Sequence, residues 1–197
     1  MIIKYIGTLM LISGMTFLAK AQIHQPRQRF VEIATGLLDG TQLRKTDNTG
    51  YWAKISFGKY GRKEGIWQAG VSTQMKFYAF NSDGLENELI RVDQYLLEGT
   101  FAPKGFKTLD RILYINPAFT VLGGYERANA GSKGNIEIKE NLNKMIIGIA
   151  GGLMGEINLS YRVALVLYGK ANYLPSSKVQ NFHFVYGLGF RFNYFKQ

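Results

Sequence analysis

The chain has 197 residues, enough for one domain, with 24 Lys and Arg against 14 Asp and Glu for a formal charge of +10. Cysteine is absent, which excludes a disulfide scaffold, a thiolate metal site, a Cys nucleophile and the acceptor of a bacterial lipoprotein anchor. The 12 Tyr, 13 Phe and 23 Gly exclude a disordered chain and a coiled coil.

The N-terminus reads as an export signal over residues 1–21. Lys4 precedes an uncharged apolar run from Tyr5 to Ala19, and Ala19-Lys20-Ala21 has the small-x-small pattern of a cleavage site. The run is shorter than the roughly 18 to 20 residues of a membrane helix, which disfavours the alternative of a single anchor helix. Residues 22–197 then form the one remaining domain.

Beyond the signal, period-two alternation recurs over ten or more residues at a time, the pattern of strands with two unlike faces. Strands are predicted at 29–38, 51–60, 66–79, 91–102, 111–124, 144–158, 161–173 and 181–195. In the third, Trp67, Ala69, Val71, Met75 and Phe77 share a face opposite Gln68, Gly70, Ser72, Gln74 and Lys76. In the last, Phe182, Phe184, Tyr186, Leu188, Phe190, Phe192 and Tyr194 share a face opposite His183, Gly187, Gly189, Arg191 and Asn193. Seven consecutive large apolar positions suit a strand whose outer face meets lipid.

The connections alternate long and short, with long ones at 39–50, 80–90 and 125–143 and the shortest at 159–160. Outer-membrane barrels have this layout, and an even strand number places both termini in the periplasm. Aromatic residues gather near strand ends (Tyr51, Trp52, Tyr60, Tyr125, Tyr161, Tyr173), as interfacial girdles do. The fold expected is all-β: an eight-stranded antiparallel up-and-down outer-membrane β-barrel behind a cleavable signal peptide. A secreted sandwich, a lipocalin-like barrel or an adhesin module is the competing reading, since such folds alternate with the apolar face turned inward.

With the apolar parity on lipid, the other parity carries Glu32, Lys54, Lys76, Glu98, Glu156, Arg162, Lys170 and Arg191 into the lumen. Interleaved signs in a narrow interior favour a paired plug over a charge-lined ion pore, and Gly70, Gly148, Gly152, Gly187 and Gly189 leave room for the long side chains. No cofactor, metal or catalytic group is expected. A Ser-His-acid set of Ser72, His183 and Glu98 would need a convergence that the sequence does not specify, and no HExxH or phosphate-cradling loop is present. The basic residues Arg44, Lys45, Arg62, Lys63, Lys104 and Lys107 are scattered over loops and rims. They suit lipopolysaccharide and lipid phosphates, and direct nucleic-acid contact is not expected.

The chain resembles the TraO family of conjugal-transfer proteins encoded on conjugative transposons of Bacteroidetes. The likeness runs over nearly the whole chain: Ala21-Gln22, then Gln28-Arg29-Phe30-Val31-Glu32, Tyr51-Trp52 and Gly65-Ile66-Trp67. It continues through Asn116-Pro117-Ala118-Phe119 and Gly123-Gly124-Tyr125-Glu126 to the closing Gly187-Leu188-Gly189-Phe190-Arg191-Phe192-Asn193-Tyr194-Phe195. Lys196 and Gln197 depart from the pattern by following the final aromatic residue. The resemblance implies an outer-membrane structural component of a mating-pair apparatus that anchors or brackets other transfer proteins without catalysis. A general surface barrel of adhesin or envelope-stabilising type is the alternative.

Overall fold

In the computed structural model, the residues described are 27–40, 50–82, 85–108, 112–128, 143–177 and 179–194. The segment read as an export signal, and residues 41–49 and 129–142 with Arg44 and Lys45, lie outside them. Nine strands follow in order: β1 (Arg29–Leu38), β2 (Gly50–Tyr60), β3 (Ile66–Ser82), β4 (Leu85–Ala102), β5 (Phe106–Lys107), β6 (Leu113–Ala128), β7 (Lys144–Asn158), β8 (Val163–Tyr173) and β9 (Phe182–Tyr194).

Eight of these close into a barrel, every neighbouring pair antiparallel, with β1 against β9 and β4 against β6 completing the ring. The two-residue β5 is a spur on the start of β6. Pro117, which has no N–H to donate, falls in the gap between the β5 pairing at Ile115 and the β4 pairing that begins at Phe119. Following cross-strand partners once around the ring from Tyr194 on β9 returns to β9 at Phe184, ten residues away. That stagger over eight strands tilts them by roughly 40° to the barrel axis.

Burial reverses the pattern of a water-soluble barrel. Ile33, Phe57, Val71, Leu97, Phe119, Val121, Ile147, Leu153 and Phe190 stand exposed on the outer wall, while Glu32, Lys54, Glu98, Glu156 and Arg191 are buried inside. The inward-facing sandwich or lipocalin pattern is therefore excluded. The lumen is filled, not hollow: Phe30, Tyr60, Ile66, Ala102, Met154 and Val166 pack one end, and Leu96, Leu122, Ile146, Ala150 and Leu174 the other. Charged side chains lie between these apolar layers.

Three stretches depart most from the sequence reading. The connection placed at 80–90 is strand: β3 runs to Ser82 and β4 starts at Leu85, with an irregular register at Phe80/Ser82. The run around Glu86 and Glu88 breaks the apolar alternation, yet backbone pairing needs no apolar face once a hairpin projects past the hydrophobic band. β6 likewise extends to Ala128. Finally, the turn at 159–160 widens through Arg162, because the Ser160 hydroxyl accepts from the N–H groups of Arg162 (3.3 Å) and Val163 (3.1 Å).

Candidate functional site

The innermost charge layer forms around Arg191. Its position on β9 is the direct cross-strand partner of Glu32 on β1, so closure of the barrel sets the two side by side. Arg191 donates to Glu32 Oε2 through Nε (3.0 Å) and Nη2 (2.7 Å), and through Nη1 to Glu156 and to the Tyr60 hydroxyl (3.1 Å). Tyr60 in turn donates to Glu156 at 2.7 Å. The guanidinium lies 4.0 Å over the Phe30 ring, a cation–π contact between two fully buried side chains. Gly58 makes that ring position possible, since a Cβ there would stand 2.2 Å from Phe30 Cζ. Glu32 also accepts from Gln68 (2.7 Å) and Tyr168, and Lys54 Nζ lies 3.4 Å away. An ion pair in such surroundings needs this many partners to offset desolvation.

A second layer crosses the lumen nearer the other end. Lys170 on β8 places Nζ 2.9 Å from both oxygens of Glu98 on β4, and Ser72 donates to the same carboxylate at 2.6 Å. Lys54 links the layers, with its ammonium 4.6 Å over the Tyr168 ring while it pairs with Glu32.

Residues 174–177 and 179–181 fold over the mouth at the β8–β9 end. Asp39, just past the end of β1, accepts from Lys76 (2.6 Å), shares a hydrogen bond with His183 Nδ1 (2.8 Å) and accepts the Phe184 N–H (2.6 Å). Burial works to raise the Asp39 carboxyl, but hydrogen bonds from His183, Lys76 and the Phe184 backbone prevail and hold it below its ordinary value. Gln180 accepts from Lys76 and from Tyr78 (3.1 Å), while Ser177 and Gln94 donate to Glu126 at 2.6 and 2.8 Å. Asp39, Glu126 and these hydroxyl and amide groups tie the strap across the opening.

The residues 25–194 match the family described as Conjugative transposon protein TraO, most of the chain. The chain belongs to the TraO family. A comparison with curated proteins finds no match. Among solved structures, the TraO chain is similar to Ail, the attachment invasion locus protein of Yersinia pestis, at 12% identity over 86% of this chain and 100% of that one, TM-score 0.51. It is also similar to Neisserial surface protein A, at 12% identity over 84% of this chain and 97% of that one, TM-score 0.50. At such identities the likeness shows a shared barrel fold.

Within this TraO barrel, Glu32, Lys54, Glu98, Glu156, Lys170 and Arg191 meet in the two layers described, and Lys76 reaches the mouth. Arg162 is the correction. It lies in the turn before β8, exposed, with its guanidinium 5.1 Å over the neighbouring Tyr161 ring, because the Ser160-capped turn delays the strand. Ser72 does reach Glu98, but His183 pairs with Asp39, so the three do not form a relay. Among the described residues, no three His, Asp or Glu side chains converge as a metal site.

Sequence reasoning missed Tyr60, Tyr168, Asp39, Gln180 and Glu126 in the TraO lumen. Tyr60 and Tyr168 stand on the inward parity, which was signal enough; the position of Tyr60 near a strand end pointed to the interfacial girdle instead, and Tyr168 was not singled out. At the opposite end, Glu64 gathers Lys104 (2.9 Å) and Lys107 (3.1 Å), two cations read as free rim charges. Lys104 and Lys107 hold the Glu64 carboxyl below its usual range despite slight burial.

Proposed function

We propose that the chain is an outer-membrane structural component of a conjugative DNA-transfer apparatus, acting by anchoring or bracketing other transfer proteins and not by catalysis. The observation that carries this reading is the plugged lumen inside an apolar outer wall, taken with TraO family membership. A barrel packed by Arg191, Glu32, Glu156, Lys170 and Glu98 leaves no passage for a DNA–protein complex. Its contribution then lies on its surfaces. Export through the signal at 1–21 places both termini in the periplasm. The short turns around Arg62, Lys63 and Lys104 face transfer proteins there, and the long loops face outward among lipopolysaccharide.

The test is transfer frequency after a clean in-frame deletion, with complementation by the wild-type gene. Fractionation and a heat-dependent gel shift first establish a folded outer-membrane barrel. Collapse of transfer, restored on complementation, is the expected result. Unchanged transfer with intact growth would overturn the conjugative role and leave the adhesin or envelope-stabilising reading.

A further inference from the structure

On the outer wall at the proposed periplasmic end, Arg29 of β1 and Lys59 of β2 are direct cross-strand partners. Both are on the outward parity and both are exposed. Like charges set opposite one another repel. Among the described residues, no salt bridge or side-chain hydrogen bond engages either one. The two cations head a groove of about 430 Å³ that continues up the wall between Phe57, Trp67, Ala69 and Tyr194. Ala69, small between larger neighbours, deepens it, and Trp67 is braced from behind by Phe101 at a ring separation of 4.4 Å.

A pair of adjacent exposed cations at the foot of an apolar channel is complementary to a molecule with an anionic head and a hydrocarbon tail. We infer that this groove binds an anionic glycerophospholipid of the periplasmic leaflet, its phosphate between Arg29 and Lys59 and an acyl chain along Phe57, Trp67 and Ala69. The bound phosphate relieves the Arg29–Lys59 repulsion, so the lipid holds the β1–β2 edge of the barrel at a defined depth. This inference rests on the membrane-barrel reading, and it adds a lipid of defined charge to one place on the wall.

The sequence supplies its own reporter, because the chain has two Trp residues. Trp67 lines the groove, 54% exposed, whereas Trp52 is buried in the lumen at 1%. The full chain is refolded into phosphatidylcholine vesicles in which a minor fraction of lipid carries brominated acyl chains, on either phosphatidylglycerol or phosphatidylcholine. Quenching of Trp67 should show a preference for the brominated phosphatidylglycerol of about fivefold if one cation engages and roughly thirtyfold if both do. Trp67→Phe should abolish the difference, and the double variant Arg29→Gln/Lys59→Gln should equalise the two lipids while still folding. Arg62→Gln/Lys63→Gln, in the neighbouring turn, should retain the preference. Equal quenching by both lipids in the wild type would overturn the inference, as would an equal loss in the turn variant. Failure of a high fraction of brominated phosphatidylcholine to quench Trp67 at all would instead overturn the membrane-barrel reading itself.

Discussion

Tyr60 on β2 and Glu156 on β7 stand four strands apart in a ring of eight, on opposite walls, and their side chains meet in the middle at 2.7 Å. That single hydrogen bond measures how narrow the lumen is. Arg191 closes the triangle from β9, so four walls of the barrel are tied through one guanidinium and its two carboxylates.

Arg191→Met leaves Glu156 buried without that cation and Glu32 with Lys54 alone, and should destabilise the barrel by about 3–5 kcal/mol. The double variant Arg191→Met/Glu156→Gln removes the uncompensated charge while keeping the Glu32–Lys54 pair, and should recover most of that loss. Urea unfolding of the refolded protein in detergent micelles reads both. A double variant no more stable than the single would show that packing, not charge, is what Arg191 supplies.

Gly58→Ala sets a Cβ against the Phe30 ring. The ring must leave its seat beneath Arg191, at an expected cost of about 1–3 kcal/mol. Phe30→Leu in the same chain should relieve the clash with the ring but not the 2.7 Å approach to the Trp67 carbonyl oxygen, so the double variant should lie closer to Phe30→Leu alone than additivity allows while still costing more than it. A double-mutant cycle on unfolding midpoints measures the coupling.

Acid should loosen the outer strap. The Asp39 carboxyl is held below its ordinary value of 3.8, so its bonds to Lys76, His183 and the Phe184 N–H contribute stability in full above that pH. The contribution falls away as the pH drops below about 4 and the folded carboxyl takes up its proton. Asp39→Asn should therefore cost about 2 kcal/mol at pH 7 and progressively less towards pH 3. Thermal gel-shift midpoints across that range check the sign; a gap that widens on acidification would refute it.

The filled lumen predicts no steady single-channel conductance in a planar bilayer. Glu98→Ala/Lys170→Ala removes one charge layer but leaves the Arg191 layer and the apolar clusters in place, so that variant should stay closed as well. Ohmic steps from the wild type would contradict the packing described for Phe30, Tyr60 and Met154.

Much of this was legible in the alternation itself. The run from Trp67 to Phe77 and that from Phe182 to Tyr194 assigned inward and outward faces residue by residue. The strands kept those faces through the hydrophobic band, while Phe77 at the end of its run is buried despite its outward parity. Legibility stopped where the physics changed. Past the band, the β3–β4 hairpin is held by backbone pairing with no apolar face to mark it. At the Ser160 turn, a local hydroxyl cap moved Arg162 off the strand.

Sequence alone determined which side chains share a wall, because a strand's period of two follows from backbone geometry and does not depend on neighbours. It also carried the order and spacing that mark the TraO family. What only the tertiary structure decided is who meets whom across the lumen. Period two assigns Glu32, Glu156, Tyr60 and Arg191 a direction but no height, and the ten-residue stagger accumulated around the closed ring sets the height. The meeting of Arg191 with Glu32, and of Tyr60 with Glu156, is a property of that closure.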